Sequence, residues 1–385
     1  MKATGIICEY NPFHSGHLHL LDTVRAAGAK TVICLMSGNF TQRGEAAILP
    51  PTARAAMALA AGADLVLELP FPYAAGSARY FATAGVRALE ALGADTIAFG
   101  SECADAARLF AAADRTMTDD FSEKVANGAR NKGDAAAFFD ALGEVRIGAN
   151  DILAVEYIRA VRLGGDRLSV YPVQRVGAGY HETDANALHP SATALRQKLG
   201  KGLDIAPDLP AAVADVWRKA VDAWGVADTA RLADAMLARL RVMRPEEGAE
   251  LADCGGGLLE RLIGAAQDAT DHESLCAAAA TKKYTNGRIR RALLYLLAGV
   301  TYADLEAPPA YLRLLGANGR GREFLANGRK TRTVPVVTKA ADVAELGEIA
   351  IRQRALSAAS DGLYALCLPH AVLPRELAVL PPVML

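Results

Sequence analysis

The chain has 385 residues, of which 52% are hydrophobic and 22% are charged, and its formal net charge is −1. This balance excludes a disordered or fibrous protein, because the apolar residues suffice for a buried core and follow no short repeat. The apolar runs stay below the roughly 18 to 20 residues that cross a bilayer, which argues against a membrane protein.

The first half of the chain alternates short apolar runs with alanine-rich helical patterns. The strand pattern starts directly after Met1 without the layout of a signal peptide, so we expect a cytoplasmic protein with no membrane partner. The predicted strands cover residues 4–10, 31–36, 65–69, 96–99 and 168–173, with helices at 52–61 and 78–92 between them. Apolar strands that alternate with helices predict an α/β fold, a Rossmann-like doubly wound parallel sheet, which binds ligands at the carboxyl ends of its strands.

Beyond about residue 200 the strand signal fades and helical patterns dominate. They cover residues 209–240, 258–280 and 288–297, before a short apolar run at 334–337. Trp217 and Trp224 lie on one face of the first of these helices, and we interpret them as core packing rather than as a base-stacking pair. The sequence therefore predicts two domains, an α/β domain over residues 1–200 and a mainly helical domain over residues 201–385.

The loop after the first predicted strand carries the clearest chemical signal, NPFHSGHLHLL at residues 11–21. His14 and His17 stand where a strand passes into a helix, and the free N–H groups of a helix start favour an anion. Imidazoles can donate to phosphate oxygens, and Gly16 lets backbone approach a ligand closely. We therefore predict a phosphate site here. A metal site built from His14, His17 and His19, or a surface loop with incidental histidines, are the alternatives.

Two later junctions indicate the same edge of the sheet. Gly100 ends a strand in FGSE, where it either approaches a nucleotide or only forms a tight turn. In HPSATALR, the hydroxyls of Ser191 and Thr193 stand at a predicted helix start with Arg196 one turn later. That pattern suits a pyrophosphate, although Ser191 also fits a simple helix N-cap.

A basic segment lies in the second half of the chain. Residues 281–340 contain twelve Lys and Arg against three acids, a local balance of +9 that leaves −10 for the remainder. Its first basic residues are Lys282, Lys283, Arg288, Arg290 and Arg291. Such asymmetry indicates a polyanion-binding region whose affinity depends on salt, and a solvated charged face is the alternative.

Taken together, these motifs resemble a known family. HxGH after the first strand and a Ser/Thr–Arg motif at a later helix start are similar to the HIGH superfamily of nucleotidyltransferases. The segments EYNPFHSGH, SGNFTQRGEAA, GADLVLELPF, FGSE, NDILAVEY and TKKYTNGRIRRALL occur in this order. In combination they resemble the tRNA(Met) cytidine acetate ligase family, from residue 6 to about residue 315.

The resemblance implies a reaction in two stages. Acetate attacks the α-phosphate of ATP to give acetyl-adenylate and pyrophosphate, and the acetyl group then passes to N4 of the wobble cytidine of elongator tRNA(Met). By this resemblance, residues 1–200 would form the nucleotidyltransferase domain that binds ATP, and the helical domain over residues 201–385 would bind the tRNA. We expect Mg²⁺ to accompany ATP, held mostly by water and by the phosphates, and we assign no protein side chain to it.

The resemblance also implies site residues. His14 and His17 would be the catalytic residues that stabilise charge on the phosphates. The implied ATP contacts are Ile7, Cys8, Glu9, Tyr10, Asn11, Pro12, Phe13, His14, Ser15, Gly16, His17, Leu18, His19, Leu20, Gly100, Asn150, Arg175 and Val176. Arg43 is a further candidate for a phosphate or RNA contact, and the basic residues at 282–291 are candidates for tRNA. Without the resemblance, Asn150 would be read as a helix N-cap and Arg175 as a solvated charge.

Two other functions compete with this one. The first is a different nucleotidyltransferase of the same superfamily that acts on a small molecule, for which the basic segment would be unnecessary. The second is an RNA-binding protein that keeps the fold without catalysis, against which the intact His14, His17, Gly100 and Arg196 argue.

Overall fold

A computed structural model of the chain describes residues 2–132, 134–143, 145–148, 151–175 and 190–385. Within these ranges the strands form one eight-stranded sheet. The strands are β1 (Ala3–Cys8), β2 (Thr31–Ser37), β3 (Leu65–Leu69), β4 (Thr96–Ser101), β5 (Ser169–Gln174), β6 (Leu312–Ala317), β7 (Val336–Val337) and β8 (Val383–Met384). All five strands predicted for the first half are present, with ends shifted by up to two residues.

The strand order is β5-β4-β1-β2-β3-β6-β7, with β8 beside β6. The first five strands are all parallel. The chain runs outward from β1 through β2 to β3 and then returns to place β4 on the other side of β1. The order therefore reverses between β1 and β4, and a crevice at the carboxyl ends of such a pair is where α/β sheets bind ligands.

The sheet also contains strands from the second half of the chain, which the sequence did not indicate. β6 pairs with β3 in the antiparallel direction, so the sheet is mainly but not purely parallel. Its sequence, LRLLGA, has too few apolar residues to distinguish a strand from a helix by periodicity. The domain boundary at residue 200 stays a prediction, and the sheet includes strands from both sides of it.

Helices cover both faces of the sheet, as the parallel strand pattern predicts. They are α1 (Ser15–Ala26), α2 (Pro51–Ala60), α3 (Ala78–Leu92), α4 (Ala106–Thr116), α5 (Asp119–Lys132), α6 (Asp134–Leu142), α7 (Asp151–Leu163), α8 (Ala192–Gly200), α9 (Ala211–Trp224), α10 (Ala233–Val242), α11 (Leu258–Asp268), α12 (His272–Ala279), α13 (Asn286–Ala298), α14 (Tyr302–Glu306), α15 (Gly319–Asn327), α16 (Glu348–Cys367) and α17 (Pro374–Ala378). Alternate residues of β2 enter two apolar cores, with Ile33 and Leu35 in one and Val32 and Cys34 in the other. Among the described residues, no helix is long and apolar enough to cross a membrane.

In the second half of the chain, two of the predicted helices are each divided into two shorter helices. The helix predicted over 209–240 is two helices, because Gly225 adopts φ 68°, a left-handed conformation that ends α9. Trp217 is buried in the core and Trp224 packs against it, which confirms the interpretation of the two tryptophans as packing residues. The pattern over 258–280 is likewise split into α11 and α12.

Candidate functional site

A cavity of about 550 Å³ opens at the carboxyl ends of β1, β4 and β5. Its walls are formed by the loop after β1, the start of α1, the ends of β4 and β5, and the starts of α8 and α13. The volume lies within the range that small-molecule and cofactor sites occupy. The cavity is located at the reversal of strand order, so fold topology and cavity indicate the same place.

Most of the residues predicted from the sequence meet at this cavity. Those that line it are Ile7, Cys8, Glu9, Tyr10, His14, Gly16, His17, His19, Leu20, Arg43, Gly100, Arg175, Ser191, Thr193, Arg196 and Arg291. Those outside its lining are Asn11, Pro12, Phe13, Ser15, Leu18, Lys282, Lys283, Arg288 and Arg290. Asn150 and Val176 lie outside the described residues. Their assignment to ATP or tRNA stays a prediction.

The two histidines of the HxGH loop are fixed by the start of α1. His14 is the N-cap, and its Nδ1 accepts the N–H of Gly16 over 3.0 Å. The backbone N–H of His14 in turn donates to Nδ1 of His17 over 3.2 Å. The two rings stack with centroids 3.8 Å apart. The spacing of the motif therefore builds a capping box out of two imidazoles.

This arrangement favours neutral imidazoles. Because both Nδ1 atoms accept hydrogen bonds, each neutral ring carries its proton on Nε2, which is the atom left to donate to a ligand. Burial, with the nearby Arg175 and Arg196 charges, lowers the pKa of His14 to about 3. Burial and the neighbouring His14 lower the pKa of His17 well below its usual value. The cavity thus presents neutral donors beside permanently charged arginines.

The lowered pKa of His14 predicts a dependence of stability on pH. Between its unfolded value of 6.5 and its folded value of about 3, the unfolded chain binds a proton that the folded chain does not. The contribution of His14 to the free energy of unfolding is therefore fully present above pH 6.5 and is lost as the pH falls below that value. His14→Asn keeps a side-chain acceptor for the helix cap but cannot titrate. When the pH is lowered from 7.5 to 5, we expect the free energy of unfolding of the wild type to fall by about 2 kcal/mol more than that of this variant. Urea denaturation at the two pH values measures the difference. An equal fall in the free energy of unfolding of both proteins would contradict a buried, neutral imidazole at His14.

A buried arginine that the sequence analysis missed holds the backbone of Glu9, which lines the cavity. Arg54 of α2 is fully buried, and its guanidinium donates to the backbone carbonyls of Leu49, Glu9 and Ser37 at 2.6 to 3.0 Å, and to that of Gly38. It therefore joins the carboxyl ends of β1 and β2. A single arginine in a helical pattern carries no sequence signal for this role, since its partners are backbone atoms.

The turn after β4 is fixed by a buried aspartate. Asp151, at the start of α7 in the segment NDILAVEY, accepts the hydroxyl of Ser101 at 2.7 Å and the N–H of Glu102 at 2.8 Å. Just before that turn, Gly100 lies against Arg175, whose Cγ would be 3.2 Å from an added Cβ. The glycine thus allows the end of β5 to pass close to the end of β4 at the cavity wall.

The Ser/Thr–Arg motif at α8 closes another side. Ser191 is the N-cap of α8 and accepts the N–H of Ala194, which is the helix-capping role considered for it from the sequence. Arg196 donates to the carbonyl of Asn11 over 2.7 Å and lies 3.4 Å from the hydroxyl of Thr193. One guanidinium therefore connects the start of α8 to the HxGH loop and also lines the cavity.

The basic segment reaches the cavity through α13. Gly287 and Arg291 of this helix line the cavity, and Arg291 forms an ion pair with Asp253 at 2.6 Å. Arg290 forms an ion pair with Glu45, in the loop that follows β2. Lys282 and Lys283 are both exposed, and Lys283 and Arg288 donate to backbone carbonyls of the 253–256 loop. The three arginines are therefore held by other groups of the protein, whereas the two lysines are exposed to solvent.

Several residues that line the cavity were not assigned to the site from the sequence, although some of them lie in the motifs quoted above. They are Gln42, Ser77, Ala78, Phe81, Phe99, Ile152, Leu153, Ala154, Tyr157, Val173, Gln174, Ala192 and Gly287, together with Ile6. Those on α3 and α7 are mostly apolar and read as ordinary core positions. They differ from other core residues only in lying beside the crevice, and this position is known only once the fold is known.

A parallel sheet with an HxGH loop at its reversal of strand order defines a nucleotidyltransferase of the HIGH type, and the family model "HIGH Nucleotidyl Transferase" matches residues 1–375. A tRNA(Met) cytidine acetate ligase of Syntrophotalea carbinolica is 38% identical over 365 residues, 88% of this chain and 85% of the relative. The relative of the same name in Acetivibrio thermocellus is 32% identical and covers 95% of both chains. The chain belongs to the tRNA(Met) cytidine acetate ligase family.

Solved structures agree with this family and with the predicted fold. The crystal structure of Thermotoga maritima TmcAL in its apo form superposes with a TM-score of 0.92 at 27% identity, over 100% of both chains. The same protein bound with alpha-thio ATP gives a TM-score of 0.89 at 26% identity, again over 100% of both. The resemblance stated from the sequence motifs and the Rossmann-like fold class are therefore confirmed.

Proposed function

We propose that this protein activates acetate with ATP and transfers the acetyl group to N4 of the wobble cytidine of elongator tRNA(Met). One observation carries the proposal: His14 and His17 of the phosphate-binding motif and Gly287 and Arg291 of the basic segment line the same cavity. A nucleotidyltransferase that acts on a small molecule would need the two histidines but not the residues of the basic segment. The substrates place the enzyme in the cytoplasm.

The cavity suits the first stage of this reaction. Acetate is a weak nucleophile, and its attack on ATP is opposed by the negative charge of the phosphates, so positioning and charge neutralisation must supply most of the catalysis. Arg175 and Arg196 supply positive charge, and the Nε2–H groups of His14 and His17 supply donors. A bound triphosphate raises the pKa of both imidazoles, because opposite charge favours the protonated form. No side-chain nucleophile is required.

Magnesium enters this scheme as part of the ATP substrate. In the described part of the chain, no group of three His, Cys, Asp or Glu side chains is arranged to hold a metal ion. The described lining of the cavity has one acidic residue, Glu9. Mg²⁺ prefers to keep several waters and to bind phosphates, so the residues present fit an ion held by ATP rather than by a protein cage.

Acetate-dependent release of pyrophosphate tests the first stage. Purified protein is incubated with ATP and magnesium, with and without acetate and with and without tRNA, and pyrophosphate is measured. We expect release to require acetate and to begin without tRNA, because the acetyl-adenylate forms first. Release that ignores acetate, or that requires a different small molecule, would favour the alternative nucleotidyltransferase.

The exposed lysines of the basic segment predict a salt-dependent contribution to tRNA binding. Replacing Lys282 and Lys283 with alanine removes two charges that can neutralise phosphates. We expect weaker binding of tRNA(Met), with a slope of log affinity against log salt reduced by about 1.5, since each phosphate contact contributes roughly 0.7 to 0.9. Filter binding at several salt concentrations measures it. Arg218→Ala with Lys219→Ala, exposed on α9, is the matched control. An unchanged slope would make the segment a solvated face.

A further inference from the structure

We infer that Glu9 is the general base that accepts the proton of the cytidine amine during acetyl transfer. The inference rests on the proposed function and extends it to the second stage. Amide formation at N4 requires that the amine lose a proton, and none of the groups assigned to phosphate binding is suited to accept one. In His14 and His17 each Nδ1 already accepts a backbone N–H and each Nε2 carries the proton, and an arginine has no acceptor atom.

The position of Glu9 is the first observation. It directly follows β1 and lines the cavity together with His14, His17 and Arg196. Among the described residues that line the cavity, Glu9 is the acidic one. Its Oε1 accepts the N–H of Gln42 over 2.8 Å, and the structure gives Oε2 no hydrogen bond from a described residue. One oxygen is therefore fixed, and the other is left to accept a proton.

The surroundings of Glu9 place it on the side where RNA would approach. Gln42, which holds the carboxylate, and Arg43 line the cavity. Gly44 follows with φ 72°, and a Cβ on it would lie 2.6 Å from the backbone nitrogen of Arg291 in α13. The loop that binds Glu9 is thus packed directly on the helix of the basic segment. A cytidine presented by RNA on α13 would enter the cavity past this loop.

The backbone around Glu9 is held rigidly, as a positioned base requires. Arg54 donates to its carbonyl oxygen over 2.6 Å and binds the ends of β1 and β2 at the same time. The charged groups that face the carboxylate are Arg43, Arg54 and Arg196, and the phenol of Tyr157 also lies near it. Burial raises the pKa of Glu9 despite these arginines, which makes its carboxylate a stronger base than an exposed one.

Acetyl transfer replaces the bond between the acetyl group and AMP with an amide bond to N4. The lone pair of N4 attacks the carbonyl carbon of acetyl-adenylate and forms the C–N bond, while one N4 proton passes to Oε2 of Glu9. The bond between the carbonyl carbon and the phosphate oxygen breaks, and AMP leaves with that electron pair. The Glu9 proton then passes to water. No oxidant, reductant or further co-reactant is required.

Glu9→Gln tests the inference, because the amide oxygen can still accept the Gln42 N–H while the base is lost. Two rates are measured for each protein: acetate-dependent exchange of pyrophosphate into ATP, and single-turnover transfer from preformed acetyl-adenylate to unmodified tRNA(Met), from pH 5 to pH 9. We expect transfer to fall on the order of 10²–10⁴-fold more than exchange does. The acidic limb of the transfer profile should also disappear. Asp22→Asn, which changes an exposed carboxylate of α1 outside the cavity lining, should keep the wild-type ratio of the two rates and the wild-type acidic limb.

An equal loss of both rates in Glu9→Gln, or an acidic limb that persists in it, would overturn the role of Glu9 as base. Those results would make Glu9 a residue that only positions ATP or the neighbouring arginines. A wild-type protein without acetate-dependent exchange would instead overturn the proposed function, and the inference with it. The two failures are therefore distinguishable from the wild-type measurement alone.

Discussion

His17→Ala is expected to lower acetate-dependent pyrophosphate release by about 10²- to 10³-fold, the range found when one preorganised donor to a developing charge is removed. His17 lines the cavity, and its Nδ1 is engaged by the backbone N–H of His14. Alanine removes the Nε2–H donor at the point where the phosphates would lie. It also removes the acceptor that holds the N-cap, so His14 loses part of its support.

The controls separate lost chemistry from lost folding. His19 lies on the same helix and also lines the cavity, but its side chain makes none of the capping contacts that His17 makes. His19→Ala should therefore reduce release by no more than about threefold. His17→Gln offers an amide N–H and should recover part of the rate. Circular dichroism and urea denaturation check that each variant is folded. Near-normal release by a folded His17→Ala would show that the phosphates bind elsewhere.

Arg54→Met is expected to destabilise the protein by about 3–5 kcal/mol, the cost of leaving buried polar partners without their charged donor. Methionine fills similar volume but leaves the carbonyls of Glu9, Ser37, Gly38 and Leu49 without this donor. Because the carbonyls of Glu9, Ser37 and Gly38 lie at the ends of β1 and β2, the phosphate loop should loosen as well.

Urea denaturation measures this effect directly. Arg218→Met on α9 is a suitable control, since Arg218 is half exposed and its ion pair with Asp215 is a surface pair within one helix. Such pairs contribute about 0–1 kcal/mol. If the two variants lost similar stability, the four-carbonyl contact of Arg54 would not be important for the fold.

Local patterns in the sequence predicted the elements that surround the site. Continuous apolar runs identified β1 to β5, and the HxGH spacing placed two histidines at the first strand-to-helix junction. Both signals depend only on residues close together in the chain. Gly100 was placed at the crevice because such sheets bind ligands at the carboxyl ends of their strands, and Arg196 was placed there by the Ser/Thr–Arg pattern at a helix start.

The contacts that complete the site depend on residues far apart in sequence. Glu45 forms an ion pair with Arg290 across 245 positions, and Arg54 binds the carbonyls of Glu9 and Ser37 at the ends of two separate strands. β6 belongs to the sheet because it pairs with β3, which its own short sequence does not indicate. Such partners are fixed by tertiary packing, and no periodicity or motif in a single sequence encodes them.

The central claim is tested most directly by following labelled acetate. The protein is incubated with ATP, magnesium, labelled acetate and unmodified elongator tRNA(Met), and the tRNA is then digested to nucleosides. We predict that the label appears in N4-acetylcytidine, that ATP is required, and that acetyl-adenylate is detected when tRNA is omitted. The absence of both acetyl-adenylate and labelled cytidine would contradict the proposed reaction.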